Sequence, residues 1–251
     1  MKRLFQIGFL MVNVIATQAQ AVAQNPENTR QALQFFDALQ QTYQNTSGLS
    51  FDMKYTYSNE TKPDIVLDSL TGTFKMSRNE YNYILDSTET IKNDKYTIVL
   101  FKEDKVMYLT KANASIKTSP LEVIGEFFKA NKGISCDIVV KGKFKVISIN
   151  YPPGLQYKQI SLTVDTTIGY LVNAMYIVQT KLLFETESID KTTLGQYDEY
   201  ARVGITFFNY REAAIDTADF DENKFFLRDG KNFKPTEAYK NYKIFIGSVN
   251  L

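Results

Sequence analysis

From Leu49 to Tyr57 the chain alternates. Leu49, Phe51, Met53, Tyr55 and Tyr57 fall on one side, and Ser50, Asp52, Lys54 and Thr56 on the other. Successive side chains of a strand point to opposite faces, so this segment predicts a strand with one wet face. Similar runs predict strands near 70–77, 81–88, 95–101, 105–111, 134–140, 143–149, 156–165, 170–179, 201–210 and 223–228. Turn signals separate many of them: Arg78-Asn79-Glu80, Glu103-Asp104, Lys141-Gly142, Pro152-Pro153-Gly154 and Thr167-Ile168-Gly169. Connections this short imply antiparallel pairing.

Two segments break the period. Over 27–45, Ala32, Phe36, Leu39 and Tyr43 recur at helical spacing, with Phe35 beside them, and Asn45 and Gly48 are stop signals. Over 119–131, Ser119 is a cap, Pro120 opens the first turn and Glu122 lies three residues after the cap. Leu121, Ile124, Phe127 and Phe128 form its apolar stripe. The expected layout is helix, strands, short helix, strands, without internal repeat or low-complexity linker. The tail from Asp229 ends in Tyr242, Ile244, Phe245 and Ile246, and either adds an edge strand or wraps over the sheet as a loop.

The N-terminus predicts export. Lys2 and Arg3 precede an apolar run over 4–16, interrupted by Gln6 and Asn13, and small residues follow at cleavage spacing, Ala19-Gln20-Ala21 or Ala21-Val22-Ala23. The run is too short for a bilayer, which needs about 20 apolar residues. Residues 1–23 are therefore expected to be a signal peptide, cut after Ala21 or Ala23, and 24–251 to form one domain. The only cysteine, Cys136, is far from the cleavage region, so no lipid anchor and no internal disulfide are expected. Loss of Lys2 and Arg3 moves the net charge from +1 to −1, a balance that argues against nucleic acid as partner.

The chain contains no histidine and no tryptophan. Ser-His-Asp and Cys-His catalysis are excluded, as is the commonest zinc ligand. No dinucleotide or P-loop sequence is present. The acidic run Asp216-Thr217-Ala218-Asp219-Phe220-Asp221-Glu222 lacks the glycine and spacing of a calcium loop and reads as a solvated turn. A carboxylate-pair glycosidase is formally open but lacks tryptophan for sugar stacking. The expectation is a binding protein, with no enzyme activity, no metal and no cofactor. Tyr96-Thr97-Ile98-Val99-Leu100-Phe101 is apolar on both faces. Either the helices cover the sheet, the commoner use of apolar stripes, or the sheet curls and its concave face holds a ligand.

Gly72-Thr73-Phe74-Lys75-Met76-Ser77-Arg78-Asn79 resembles the glycine, alternating strand and arginine turn of the LolA-like periplasmic outer-membrane lipoprotein carriers. In order along the chain, Ile91-Lys92-Asn93-Asp94 looks like that family's hairpin turn. Ser119 to Ile124 resembles its lid helix, Lys158 to Asp165 a later strand and turn, and Ile215 to Phe220 the turn into its closing strand. The resemblance spans about 28–228. It implies a mainly β fold, an incomplete antiparallel β-barrel with a helical lid, and a periplasmic carrier whose apolar cavity takes the acyl chains of lipoproteins. It also implies an inner-membrane lipoprotein-releasing transporter and an outer-membrane acceptor as partners, and a monomer. The cavity and lid candidates are Phe74, Met76, Arg78, Tyr81, Tyr83, Ile124, Phe127, Phe128, Ile160, Leu162 and Val164. For Arg78 the residues leave two readings, an exposed turn arginine or one in phase with Phe74 and Met76. The resemblance implies that it holds the lid closed when the cavity is empty. Residues 183–200 and the tail depart from the family pattern. The alternative function is a lipoprotein- or lipid-sensing interaction module on the same fold.

Overall fold

The computed structural model describes residues 26–112, 134–183, 197–230, 232–248 and 251. The chain is mainly β. Helix α1 (Pro26–Asn45) is followed by β1 (Leu49–Asn59), β2 (Lys62–Ser77), β3 (Glu80–Leu85), β4 (Thr88–Lys92), β5 (Tyr96–Phe101) and β6 (Val106–Lys111). Then come β7 (Ser135–Lys141), β8 (Phe144–Asn150), β9 (Tyr157–Asp165), β10 (Tyr170–Gln179) and β11 (Tyr200–Glu212). The C-terminal part adds β12 (Phe226–Asp229), β13 (Asn232–Pro235) and β14 (Lys243–Ile246), with single 3-10 turns at Thr217–Phe220, Glu222–Lys224 and Glu237–Tyr239.

Among the described residues twelve strands form one hydrogen-bonded sheet in the order β14-β6-β5-β4-β3-β2-β1-β11-β10-β9-β8-β7, and β12 and β13 form a separate hairpin. The order is linear and does not close into a barrel. The pairs of known register within it are antiparallel except β14 on β6, which is parallel. That exception departs from the all-antiparallel expectation. A parallel partner needs a long connection, and the chain between β6 and β14 supplies one. The described residues gather into two compact units. Unit 1 holds 26–43, 54–69, 134–183 and 197–207. Unit 2 holds 44–53, 70–112 and the described part of 208–251.

In unit 1, α1 lies across one face of β7–β10. Its spacing puts Ala32, Phe36 and Leu39 on a single stripe, and all three are buried. Asn28 Nδ2 donates to the Cys136 carbonyl at 2.9 Å, and Leu171 N donates to the Tyr43 hydroxyl at 3.3 Å. Tyr43 meets Tyr170 edge to face, with centroids 5.2 Å apart, and Lys145 Nζ stands 5.0 Å from the Phe35 ring centre. At the end of the helix Gly169 holds φ +78°, and a Cβ there would press on Thr42 Cγ2. Glycine meets both demands.

In unit 2 the meander β3–β6 has one face covered by the C-terminal tail. Ile91, Ile98, Leu100, Met107 and Leu109 are fully buried and cluster with Phe220, Phe225 and Phe226. Ile215, Phe233, Tyr239, Tyr242, Ile244 and Leu251 pack around them. Both sequence options for the tail are realised: the segment wraps the sheet, then adds β14 beside β6. Asn93, 5% exposed, pins the wrap. Its Nδ2 donates to the Phe220 carbonyl at 3.1 Å and to Glu222 Oε2 at 2.7 Å. Its Oδ1 accepts from Lys95 N at 2.9 Å and Tyr96 N at 2.8 Å. Lys75 pairs with Asp219 at 2.8 Å, and Lys95 with Glu222 at 2.6 Å. The acidic run is thus a pair of 3-10 turns, with Asp216 and Asp221 accepting as caps from Ala218 N and Asn223 N.

Candidate ligand-binding face

The register of unit 2 sorts its side chains into two faces. Phe74 pairs with Tyr83, Tyr83 with Thr90, Thr90 with Val99 and Val99 with Tyr108. Met76 pairs with Tyr81, Tyr81 with Lys92 and Lys92 with Thr97. Directly paired residues share a face, so these rows lie opposite the face that the tail covers. A sheet needs one apolar face to fold against a core. This one has a second.

That second face is aromatic and only half covered. Phe74, Met76, Tyr81, Tyr83, Val99 and Phe101 are half-buried, while Tyr108 and Phe245 are exposed. Phe74 is the hub of its rings. It stacks on Phe51 with centroids 5.1 Å apart and on Tyr81 at 5.7 Å, and Tyr83 stands at 6.2 Å. Phe51 in turn meets Tyr210 at 4.9 Å. Tyr210 follows Asn209, whose φ of +55° falls in the left-handed region. Burial raises the phenol pKa of Tyr81. It lowers the ammonium pKa of Lys92, a cation in the same row as Met76 and Tyr81, against a smaller opposite effect of Asp94. The arrangement is a broad apolar platform with one half-desolvated cation. It offers contact area to an apolar ligand.

Four of the eleven candidates, Phe74, Met76, Tyr81 and Tyr83, come together on this platform. Ile160, Leu162 and Val164 lie in unit 1. There they pair with Ile149, Ile147 and Lys145 and are buried on the face that α1 crosses. Lys145, the partner of Val164, stands over Phe35 of α1 on that face. Ile124, Phe127 and Phe128, with the proposed lid helix, lie outside the described residues. Arg78 is exposed in the two-residue loop between Ser77 and Glu80, at φ +55°. The strand ends one residue before it, so the turn geometry and not the strand phase sets its direction.

Sequence reasoning missed Phe51, Tyr210 and Lys92 as members of the face. The odd-numbered alternation of β1 marks Phe51, but Tyr210 depends on the kink at Asn209, which no pattern announces. It also missed a second aromatic group in unit 1. There Tyr57, Val178 and Val203 are buried beneath Tyr55, Tyr157, Tyr176, Leu182 and Leu183. Tyr157 joins through an irregularity in which Val178 pairs with Tyr157 after Ile177 pairs with Gln159. Burial raises the phenol pKa of Tyr57, Tyr157 and Tyr176. Unit 1 also has an open recess of about 210 Å³ framed by Gln179–Lys181 and Tyr197–Glu199. Its Asp198 is engaged by Thr61 N at 2.8 Å and Thr61 Oγ1 at 2.7 Å. Burial, then the charge of Asp137, pushes the Cys136 thiol up to about 11, which leaves it protonated at neutral pH.

No protein-family model and no curated protein matches this chain. Similar solved structures include an uncharacterized conserved protein from Thermus thermophilus, at 5% identity and TM-score 0.48, over 86% of this chain and 99% of that one. The lipoprotein LppX of Mycobacterium tuberculosis is similar at 10% identity and TM-score 0.38, over 76% and 99%. A LolA superfamily protein from Nitrosomonas europaea is similar at 8% identity and TM-score 0.34, over 76% and 98%. The family name to which the sequence pattern points recurs among these folds. Identities this low carry neither ligand nor partner across.

Proposed function

We propose that this chain is an exported lipid-binding protein that shields the acyl chains of lipoproteins between membranes, with no catalytic step. One observation carries the reading: the sheet of unit 2 has a core face under the tail and a second, half-open aromatic face that folding does not require. Each CH₂ taken from water contributes about 0.8 kcal/mol, so full burial of a long acyl chain is worth on the order of 10 kcal/mol and a half-open face supplies part of it. A lipoprotein crossing an aqueous compartment needs that escort. A transporter that releases lipoproteins from the inner membrane and an acceptor at the outer membrane are its expected partners. The tail packs as core, which favours the carrier over a sensor that would use the tail as a partner surface.

The test is to purify the protein from its native compartment, identify bound lipid by mass spectrometry and titrate a fluorescent acyl probe. Phe74→Glu places a carboxylate among Phe51, Tyr81 and Tyr83, and the desolvation cost of that charge should lower probe affinity at least tenfold. An acyl-free preparation, with equal probe affinity in a folded Phe74→Glu variant, refutes the proposal. Sequencing the N-terminus of the same preparation tests export, which requires a start at Val22 or Gln24.

A further inference from the structure

In unit 1 the β7–β8 hairpin closes through Lys141-Gly142-Lys143, and every residue from Val139 to Phe144 is exposed. Val139 is 45%, Val140 67% and Phe144 37% exposed. The next turn, Thr166–Gly169, carries Ile168, 46% exposed. The two turns are fixed to each other. Thr166 N and Thr166 Oγ1 both donate to the Lys143 carbonyl, at 2.8 and 2.9 Å, and Lys143 Nζ pairs with Asp165 at 2.8 Å. Four exposed apolar side chains therefore project from one braced tip, beside Lys141, Lys143 and Lys145.

Their directions identify the partner. Val139 and Val140 are consecutive in a strand and point to opposite faces. Val140 pairs with Lys145, while Val139 pairs with Val146 on the other side. A folded protein partner would cover one side of such a ribbon and leave the other wet. A fluid interface closes around both. The exposed Lys141 adds charge that an anionic headgroup layer attracts, while Lys143 is balanced by its pair with Asp165 and Lys145 stands over Phe35. Gly142, with φ +57°, has nothing within 4 Å of where a Cβ would stand, so the apex is unobstructed.

We infer that the β7–β8 and β9–β10 turns form a membrane-docking tip, which inserts Val139, Val140, Phe144 and Ile168 into an anionic lipid surface. The inference is independent of the acyl-binding reading, since it uses a different unit and different residues. It gives a lipid-handling protein a means of meeting a bilayer without a spanning helix, and no described helix is long and apolar enough to span one.

Sedimentation with unilamellar vesicles tests it, comparing phosphatidylcholine with a phosphatidylcholine–phosphatidylglycerol mixture. The mature protein should sediment with the mixed vesicles, less so at high salt, and weakly with phosphatidylcholine alone. Val140→Asp combined with Phe144→Ser should reduce binding at least tenfold. Lys141→Gln, an exposed change that cannot disturb the fold, should reduce it about fivefold. Circular dichroism and acyl-probe affinity serve as controls and should match the unmodified protein. Failure of the unmodified protein to bind mixed vesicles overturns the inference. So does unchanged vesicle binding in the folded double variant or, if that variant misfolds, in Lys141→Gln.

Discussion

Replacing Asn93 with alanine tests whether the tail is held by a specific lock or by apolar contact alone. The side chain makes four hydrogen bonds: two donated by Nδ2 to the Phe220 carbonyl and Glu222, and two accepted by Oδ1 from Lys95 N and Tyr96 N. Three join neutral groups, at about 1 kcal/mol each, and one ends on a carboxylate, at about 2 kcal/mol. Together they set an upper bound of about 5 kcal/mol. Water replaces part of this, because Lys95 is exposed and Glu222 keeps its 2.6 Å pair with Lys95. The Phe220 carbonyl and Tyr96 N lie deeper. The expected loss is about 3 kcal/mol, or roughly 6–12 °C in Tm for a chain of this size. Urea and thermal melts followed by near-ultraviolet circular dichroism read the loss. Limited proteolysis should cut within 216–246 well before the rest of the chain. Asn93→Asp should be worse than alanine at neutral pH, since its new oxygen faces Glu222 and the Phe220 carbonyl, and should recover as acid protonates it. A loss below about 1 kcal/mol for Asn93→Ala, with an unchanged cleavage pattern, refutes the lock.

Arg78 sits at φ +55°, where a Cβ is strained, so Arg78→Gly should raise stability by about 0.5–1 kcal/mol in urea melts. Arg78→Leu should retain lipoprotein binding and slow delivery to an acceptor if the latch role implied by the family resemblance holds; normal transfer by that variant removes the role. The hydrogen bond from Lys75, with its charge and that of Lys224, holds the Asp219 carboxyl below its usual range. A lowered folded-state pKa contributes stability above the ordinary aspartate value of about 3.9 and loses it as pH falls through the folded value. Melts of the wild type and Lys75→Met should therefore differ at neutral pH and converge in acid. Cys136 is buried with its thiol pushed up to about 11, so a thiol reagent at neutral pH should label it only after unfolding.

Most of the elements were legible in the sequence because period-two alternation survives wherever one face is core and the other wet. α1, β1 and β5–β10 are close to their expected bounds. The misses have separate causes. The run expected as one strand over 81–88 is broken by Asp86 at φ +50°, which starts the turn into β4. The N-terminal half of β2 escaped notice because its residues 62–67 are all exposed, so no burial imposes alternation on Lys62, Pro63 and Asp64. The parallel placement of β14 is decided by Ile244 reaching the Met107–Leu109 core across the length of the chain, which no local pattern encodes. For the candidate site, strand phase placed Phe74, Met76, Tyr81 and Tyr83 on one face, and the register does the same. The same phase logic selected Ile160, Leu162 and Val164, because alternation reports that a face is covered and is silent on whether a helix or a ligand covers it. The irregularities at Asn209 and in β9, which re-aim Tyr210 and Tyr157, are invisible to any fixed period.

The parallel docking of β14 has a kinetic consequence. Lys111 N finds Ser248 Oγ at a separation of 137 residues, and Gly247 N closes on the Leu109 carbonyl at 2.8 Å. A Cβ at Gly247 would meet the Tyr108 hydroxyl, so the chain passes close against that ring. Unit 2 is closed by distant pairings, this one and the Ala213 N bond to the Gly48 carbonyl at 3.2 Å. Chains dominated by such distant pairings fold slowly, because loop closure precedes the reward of contact. Strands β4–β6 therefore complete the cover of their core face only after Phe220, Phe225 and Phe226, and then Ile244, have been synthesised. If the chain is exported as proposed above, that order of synthesis would leave unit 2 unfinished while translocation begins.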